Sequence, residues 1–576
     1  MQTLYMRSSI KSIVPSWVYP VILMLACLVL YTHTASYSYT ELDDSIFIRE
    51  FEQYNKQDSS FAHSFKRGVF SDSSDTYYRP LLLASFVLDR HLEGKRSQTL
   101  HREKDPGDTI AVYHRTNIIL HCLAVLLLFA LLHLLRLNST ASFLVSVVFA
   151  VHPALVQAVA WIPGRNDTLL AMFSFAFLLS SLFTIEKQRY ALLPVQFLLL
   201  LCALFTKETG IIIAPLAVVI LTLLHGMRWN DKRLWYHVPV WGAAVLVWFF
   251  VRSSATVQNQ DISAGTLVGG FLERLPLIIQ YFGKIILPVN LAVVPYQDQT
   301  SIVFGLLSLG IVGAIVMWTR EIPWRAILTG VVWYIVFLLP ALIVPKTLNN
   351  ETYEHRLYLP IVGILFMLVN TDLVRRFNER RVLLTAVPLC AALFFASYQR
   401  TNLFSDKITF WESAVATSPT SAFTTMMLGA RYILDPVNPR PQQGSALIRQ
   451  SYAIDSGAKY INYYMALLLW NDNTTVAAEP FLERELVHNP AWAELYFRLA
   501  RCAIERGDLL KAKRMLERHF ELNPYDEQGA NNLLMICVDT GSMFEARRYA
   551  DRITALGVPV PQALLDKVRN TPVPLK

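Results

Sequence analysis

Residues 275–290 read LPLIIQYFGKIILPVN, and whether this stretch crosses a membrane decides the topology of the second half of the chain. The stretch is apolar, but it carries Pro276, Pro288, Gln280 and Lys284. A transmembrane helix needs about 20 predominantly apolar residues. Eleven other stretches meet that demand more cleanly: near 17–37, 112–134, 140–158, 168–185, 190–206, 210–226, 235–251, 302–318, 326–344, 357–373 and 382–398. Lys and Arg in short loops collect on the cytoplasmic side. If 275–290 does not cross, one side holds fourteen such residues and the other seven. If it does cross, the basic run RRFNERR at 375–381 moves to the outer side. The charge bias therefore predicts a cytoplasmic N-terminus, 275–290 at the outer interface and, after an odd number of spans, a C-terminal region outside. The long polar loop near 40–111 is expected outside as well, as a soluble cap. The first span is too long for a signal peptide and lacks the small-residue cleavage site of one.

Composition supports the membrane reading. Of 576 residues, 53% are hydrophobic and only 17% charged, against about 25% charged in a soluble domain. The mean hydropathy is +0.35. A cytosolic globule, a disordered chain and a collagen-like repeat are excluded. Six Cys are too few for a disulfide scaffold. Cys27, Cys122, Cys202 and Cys390 lie in apolar runs, where a thiol behaves as a small hydrophobe. The net charge of +8 follows from basic residues kept at the cytoplasmic face and calls for no nucleic-acid partner. No P-loop, HExxH or CxxC motif is present to support ATP or zinc chemistry.

After about residue 400 the pattern changes. Charges return, and a period of 34 appears. Asn489-Pro490 recurs as Asn523-Pro524, Gly507 as Gly541, Leu482 as Leu516, and Ala478 as Ala512 and Ala546. Small residues at a fixed step let paired helices approach closely. This is the tetratricopeptide pattern, with about four units near 420–455, 456–489, 490–523 and 524–557. Cys502 and Cys537 fall at near-equivalent positions of adjacent units, which points to burial rather than a disulfide. Such an array presents a concave surface to a peptide or protein.

Five polar clusters sit where outer loops meet the membrane, and ionisable groups there are costly unless they serve a site. Leu42-Asp43-Asp44-Ser45 follows the first span; its adjacent carboxylates read as a base and its companion, or as a helix N-cap. In Tyr77-Tyr78-Arg79-Pro80-Leu81, Arg79 suits phosphate oxygens, or anchors an aromatic belt at the interface. His152-Pro153-Ala154-Leu155 and Trp161-Ile162-Pro163-Gly164-Arg165-Asn166-Asp167 break the chain between two spans, with Arg165 and Asp167 expected in one small volume; alternatively Asp167 caps the next helix. Thr206-Lys207-Glu208-Thr209-Gly210 reads as a cation for a lipid phosphate, or as a Lys–Glu pair that turns the chain. His355-Arg356-Leu357-Tyr358-Leu359-Pro360 offers another cation, or a snorkelling Arg. Acids and several phosphate-binding cations beneath an outer loop suggest a site for a lipid-linked anionic substrate.

The strings DDSIFI (43–48), YYRPLLLASFVLD (77–89), YHRTNIILHCLAVLLL (113–128), VHPALVQAVAWIPGRNDTLLA (151–171), LFTKETG (204–210) and EHRLYLP (354–360) stand in an order that resembles one family. It is the transmembrane and tetratricopeptide repeat-containing glycosyltransferases related to protein O-mannosyltransferases, of GT-C fold. The resemblance covers nearly the whole chain. It departs at Asn166, at His355 where an acid is common, and in having fewer repeats than animal members. The resemblance implies an all-α polytopic protein, with a GT-C membrane domain over 1–400 and a repeat domain over 401–576. It implies a polyprenyl-phosphate or polyprenyl-diphosphate sugar donor and Ser or Thr acceptors on exported proteins, with the repeat domain as the acceptor-binding part. By the same resemblance Asp43 matches the base and Asp44 its companion, while Arg79, Lys207 and Arg356 serve the donor phosphate. Arg165 and Asp167, with Glu208 and His355, line the pocket. The resemblance leaves open whether a divalent metal such as Mg or Mn takes part; if one does, Asp43, Asp44 or Asp167 would hold it. The compact length suggests a bacterial inner membrane with a periplasmic site, the alternative being the endoplasmic reticulum with a luminal one. Two other functions remain open on these residues: transfer to a glycolipid or polysaccharide acceptor, and a non-catalytic scaffold displaying the repeats.

Overall fold

The structure is a computed structural model that describes residues 15–44, 47–48, 61–66, 68–69, 77–93, 110–255, 264–344, 350–471 and 475–571. Among them the architecture is helical throughout, and the only extended pairing is an isolated bridge between Tyr296 and Glu351. The chain divides into two compact units, residues 1–418 and 419–576.

Among its described residues the first unit holds six helices long and apolar enough to cross a membrane: Val18–Ser36, Ala111–Leu134, Ile162–Lys187, Lys232–Ala255, Trp324–Ile343 and Glu379–Phe404. The other five of the eleven expected spans are helical too, but bent or short. The span expected at 140–158 is two pieces, Ser139–Ala150 and Pro153–Ala160, meeting at 55°. The break follows from the sequence: His152 is extended, and Pro153 has no N–H to donate to the preceding turn. Tyr190–Thr206, Glu208–Leu223, Val303–Trp318 and Pro360–Val369 are apolar helices of 10–17 residues. Length alone gives six spans, or seven with the bent pair, so the chain is a polytopic membrane protein. Where Trp324–Ile343 meets Pro360–Val369, a Cβ on Gly330 would stand 2.3 Å from the Gly363 carbonyl oxygen, so both helices need glycine at this crossing.

The ambiguous stretch at 275–290 forms the helix Pro276–Ile286, whose 11 residues are too few to span a bilayer. Its amide and ammonium donors find partners inside the protein. Gln280 donates to the carbonyls of Gln297 and Thr300, and Lys284 pairs with Glu354.

The first unit runs past the boundary expected at residue 400 and closes at Ser418. The helix Lys407–Thr417 belongs to it because Trp411 Nε1 donates to the Thr40 carbonyl at 2.9 Å and Ser418 Oγ to the Val294 carbonyl at 3.0 Å.

The second unit is a run of antiparallel hairpins. Their second helices begin at Pro441, Thr475, Leu509 and Met543, a step of 34 each time. Ala478, Ala512 and Ala546 are fully buried where the helices meet. Gly507 and Gly541 close the first helices of the third and fourth hairpins with φ of +76° and +69°, a conformation that suits glycine. The short helix Gln562–Asn570 buries Val568 against the last hairpin and ends the array. Cys502 and Cys537 are buried free thiols.

Candidate functional site

The polar residues of the first unit sort into three groups, and chain geometry explains each.

The first group gathers Arg79, Asp167, Lys207, Glu208, His355 and Arg356. Pro80 opens the helix Pro80–Glu93, so Arg79 is held just outside its first turn. Lys207 is extended between the helices Leu193–Thr206 and Glu208–Ile212. Residues 354–357 form a single helical turn ahead of Pro360. Arg79 grips Glu208 through Nε (3.0 Å) and Nη2 (2.9 Å), with the Tyr77 ring 4.8 Å from its guanidinium carbon. Lys207 Nζ donates to Asp167 Oδ1 at 2.7 Å and to Asn166 Oδ1 at 3.1 Å. His355 Nε2 stands 3.9 Å from Asp167 Oδ2, too far for a hydrogen bond. Among the described residues, Asp167 Oδ2 and His355 Nδ1 have no hydrogen-bond partner. The His355 ring stacks on Tyr353 at 5.2 Å and lies 5.7 Å from Trp161. Arg356 lies over the Tyr353 ring at 5.9 Å and forms no ion pair with a carboxylate among the described residues.

Burial and like charge shape this group. Burial holds His355 well below its ordinary value, and the nearby Lys207, Arg356 and Arg79 charges add to the effect, so its imidazole is neutral at pH 7. Burial also lowers the Lys207 ammonium, with Asp167 pulling it back up. Burial would raise the Glu208 carboxyl, but the Arg79 guanidinium carries it below the usual range.

Asp43 stands in the first loop. It is half-buried. The Tyr353 phenol is raised well above its ordinary value, chiefly by burial, and the Asp43 charge is close enough to contribute. Asp44 does something else. It is buried, and its carboxylate accepts from the Thr40 N–H at 2.6 Å, the Thr40 hydroxyl at 3.0 Å and the Leu42 N–H at 3.0 Å. Burial pushes its carboxyl up to about 6, against the bonds from Thr40. Asp44 thus ties the turn that presents Asp43.

The second group corrects an expectation. Arg165 does not share a volume with Asp167. It is fully buried against Asp89, with Nη2 2.5 Å from the carboxylate and neither side chain exposed. Its Nε donates to Asn117 Oδ1 at 2.8 Å, Nη2 to the Tyr113 carbonyl at 2.8 Å, and the Phe86 ring lies 4.4 Å away. All its directions are taken by protein. His152 and Gln157 are consumed likewise, donating to the carbonyls of Ile285 and Val293.

The third group was missed by sequence reasoning. Glu354 is fully buried between Lys284 and Arg400, each 2.6 Å away. Its signal was present: a Lys inside an apolar stretch demands an acid partner. Asp89, at the end of YYRPLLLASFVLD, was overlooked in the same way.

Among the described residues no three His, Cys, Asp or Glu side chains come together as metal ligands. Asp44 is filled by its own turn, and Asp167 Oδ1 by Lys207. The described donor set does not by itself fit Mg or Mn, and no step is derived through one.

These features define a polytopic helical membrane protein with a cation-rich polar cluster and a tetratricopeptide-type array. No family model matches the chain. It is 26% identical over 379 residues to a Caenorhabditis elegans protein named protein O-mannosyl-transferase F38B6.6, covering 63% of this chain and 52% of that one. It is 31% identical over 171 residues to the Mus musculus protein O-mannosyl-transferase TMTC1, covering 28% of this chain and 17% of that one. The chain thus spans about half the length of the nematode relative. Among solved structures it is similar to an oligosaccharyltransferase from Archaeoglobus fulgidus (13% identity, TM-score 0.27, 95% of this chain and 58% of that one). It is also similar to the protein MamA (18% identity, TM-score 0.22, 26% of this chain and 79% of that one).

Proposed function

We propose that this protein is a GT-C-type glycosyltransferase that moves a sugar from a polyprenyl-phosphate or polyprenyl-diphosphate donor to Ser or Thr hydroxyls of exported proteins. The observation that carries the reading is the meeting of distant parts of the chain in one polar cluster: Arg79 on Glu208, the adjacent Lys207 on Asp167, and His355, next to Arg356, 3.9 Å from Asp167. Similarity to proteins named protein O-mannosyl-transferase supports the same class.

The chemistry follows from the residues. A hydroxyl is a poor nucleophile, and a carboxylate within hydrogen-bond reach activates it. Asp43 takes the hydroxyl proton. The hydroxyl oxygen forms its bond to the anomeric carbon while the bond from that carbon to the phosphate oxygen breaks, and the electron pair leaves with the phosphate. Arg356 meets the developing charge first, because it has no carboxylate to surrender among the described residues. Lys207 and Arg79 follow by turning from Asp167 and Glu208. Cations fixed in a partly desolvated site stabilise a leaving phosphate strongly. A single displacement of this kind inverts the anomeric centre. The repeat array recruits the acceptor chain on the outer side of the membrane, in the periplasm or the lumen of the endoplasmic reticulum.

The test is transfer by the full chain in lipid nanodiscs, from radiolabelled polyprenyl-phosphate mannose to a Ser/Thr peptide. Label on the peptide hydroxyl, lost in Asp43→Asn, supports the reading. Label that enters only a glycolipid would replace the protein acceptor. No transfer to any acceptor, with no binding of the donor, would remove the enzyme altogether.

A further inference from the structure

At residues 354–357 a fully buried charge network and the polar cluster share one turn of backbone. Glu354 is 0% exposed. Its Oε1 meets Lys284 Nζ at 2.6 Å and accepts the Ala292 N–H at 3.1 Å, and its Oε2 meets Arg400 Nη2 at 2.6 Å. Lys284 is 3% exposed and Arg400 7%. Arg400 also donates to the Ala292 carbonyl at 3.0 Å. The carboxylate is therefore saturated from two sides, by a cation on the helix Pro276–Ile286 and by one at the end of the helix Glu379–Thr401.

The same turn is held at a second point. Tyr281 stands three residues before Lys284 and so shares its face of the helix. Its hydroxyl donates to the Tyr353 carbonyl at 3.2 Å. The His355 N–H donates to Gln157 Oε1 at 3.3 Å. One face of one short helix thus grips Glu354 through Lys284 and the backbone just before it through Tyr281.

Joining three segments does not require charge. A buried ion pair is often replaced by packed apolar groups with no loss of stability. What fixed charges supply here is register. Two cations at 2.6 Å on the two oxygens of one carboxylate define where the turn begins, and the next two side chains are His355 and Arg356. Slipping the turn by one residue would carry Arg356 away from Lys207 and Arg79.

We propose that Glu354, locked between Lys284 and Arg400, is a positioning residue that sets where Arg356 and His355 stand toward the donor phosphate. It acts through Arg356 and does not touch substrate. The proposal rests on the reading of Arg356 as a donor-binding cation.

The experiment is a double-mutant cycle on the full chain in nanodiscs, with farnesyl phosphate as the probe and its affinity measured by calorimetry. Glu354→Gln leaves two buried cations with no carboxylate, so the cycle is run in parallel with Lys284→Met, which keeps Glu354 and Arg400 as a balanced pair. Lys284→Met is expected to weaken binding about tenfold with the melting temperature nearly unchanged. Arg356→Ala is expected to weaken binding about tenfold in the otherwise native chain, and by less than about twofold when added to Lys284→Met, because coupled residues are not additive. Additive losses, or a lowered melting temperature with full affinity in either background, would make the network a fold element only and overturn the proposal. Undiminished binding in Arg356→Ala alone would instead remove Arg356 from the donor site, and the proposal would fall with the reading beneath it.

Discussion

Two kinds of charged cluster stand side by side in the membrane unit. One is closed: Asp89 with Arg165, and Glu354 with Lys284 and Arg400, all between 0% and 7% exposed. The other is open: Arg79 at 15% exposed with Glu208 at 27%, Lys207 at 14% with Asp167 at 8%, and Arg356 with no carboxylate partner among the described residues. Sequence motifs contribute to both, and residue type does not tell them apart. The difference lies in saturation. A closed carboxylate has its oxygens filled by protein and cannot exchange partners without an unpaired charge in a dry interior. An open pair can trade its carboxylate for a phosphate, because water reaches it and a neighbouring cation is already unclaimed.

The largest expected effect breaks the closed set. Arg165→Leu leaves the Asp89 carboxylate buried and alone, at a cost of about 3–5 kcal/mol. A large fall in the thermal midpoint in nanodiscs is expected, with part of it recovered by adding Asp89→Asn. If Arg165→Leu instead melts normally and loses donor binding, Arg165 belongs to the open set and the division fails. Next comes the base. Asp43→Asn should lower turnover about 10²–10⁴-fold while farnesyl phosphate affinity and melting stay as they are. Asp44→Asn should do the reverse, loosening the turn of residues 40–44 with a smaller loss of turnover. Near-normal turnover in Asp43→Asn would take the base elsewhere.

Smaller still is Arg79→Ala. Glu208 is partly exposed, so water can solvate it once its partner is gone, and the stability change should stay within about 1 kcal/mol. Donor affinity should fall about tenfold, as for a lost charge-assisted pair. A larger stability loss than affinity loss would move this pair into the closed set.

The smallest effect sharpens the comparison with an intermediate case from the repeat unit. His519 donates from Nδ1 to the Ala493 carbonyl at 2.9 Å and from Nε2 to Asp526 Oδ2 at 2.8 Å. Both acceptors lack a proton, so the ring fits best as the imidazolium. Burial would lower its pKa, but Asp526, the Ala493 carbonyl and the Glu494 charge carry it above the ordinary 6.5. Asp526 is lowered from 3.8, with burial opposed by His519 and backbone N–H groups. A raised folded-state pKa gives stability that is complete below about 6.5 and lost as pH rises through the higher folded value. The repeat array should therefore soften on passing from mildly acidic to mildly alkaline buffer. The loss should be about 1 kcal/mol or less, the worth of a partly exposed ion pair. Melting curves across that pH range measure it. His519→Gln should flatten the dependence, and an unchanged slope would show that this pair is not responsible.

Much of this molecule was legible in the sequence because the signals were local. The 34-residue step survives as the starts of four helices, and every expected span is a helix. The span at 140–158 bends at Pro153, and the two around Lys207 stop where that residue is extended, since the chain cannot continue a straight ladder at either point. Arg79, Lys207 and Arg356 were legible as cations at a boundary, but their meeting was not, since no local pattern encodes contact across 129 residues or more, the separation between Arg79 and Glu208. The pairing of Arg165 with Asp167 was misread for an elementary reason. Two residues apart on a helix is about 200° of rotation, so the side chains diverge, one to Asp89 and the other to Lys207. Asp89, Glu354 and Arg400 were passed over because acids and bases at the ends of apolar runs resemble interfacial anchors until their partners are seen.

The buried triad also imposes an order on biosynthesis. Lys284 leaves the ribosome first, Glu354 follows 70 residues later, and Arg400 a further 46 after that. At roughly 5–20 residues per second, Lys284 waits about 4–14 s for its carboxylate, and the pair waits about 2–9 s more for the second cation. Until then an ammonium sits on an apolar helix of 11 residues without the carboxylate it will be buried against. A chain stopped or cleaved before residue 354 would lack the carboxylate that Lys284 and Arg400 share in the finished fold.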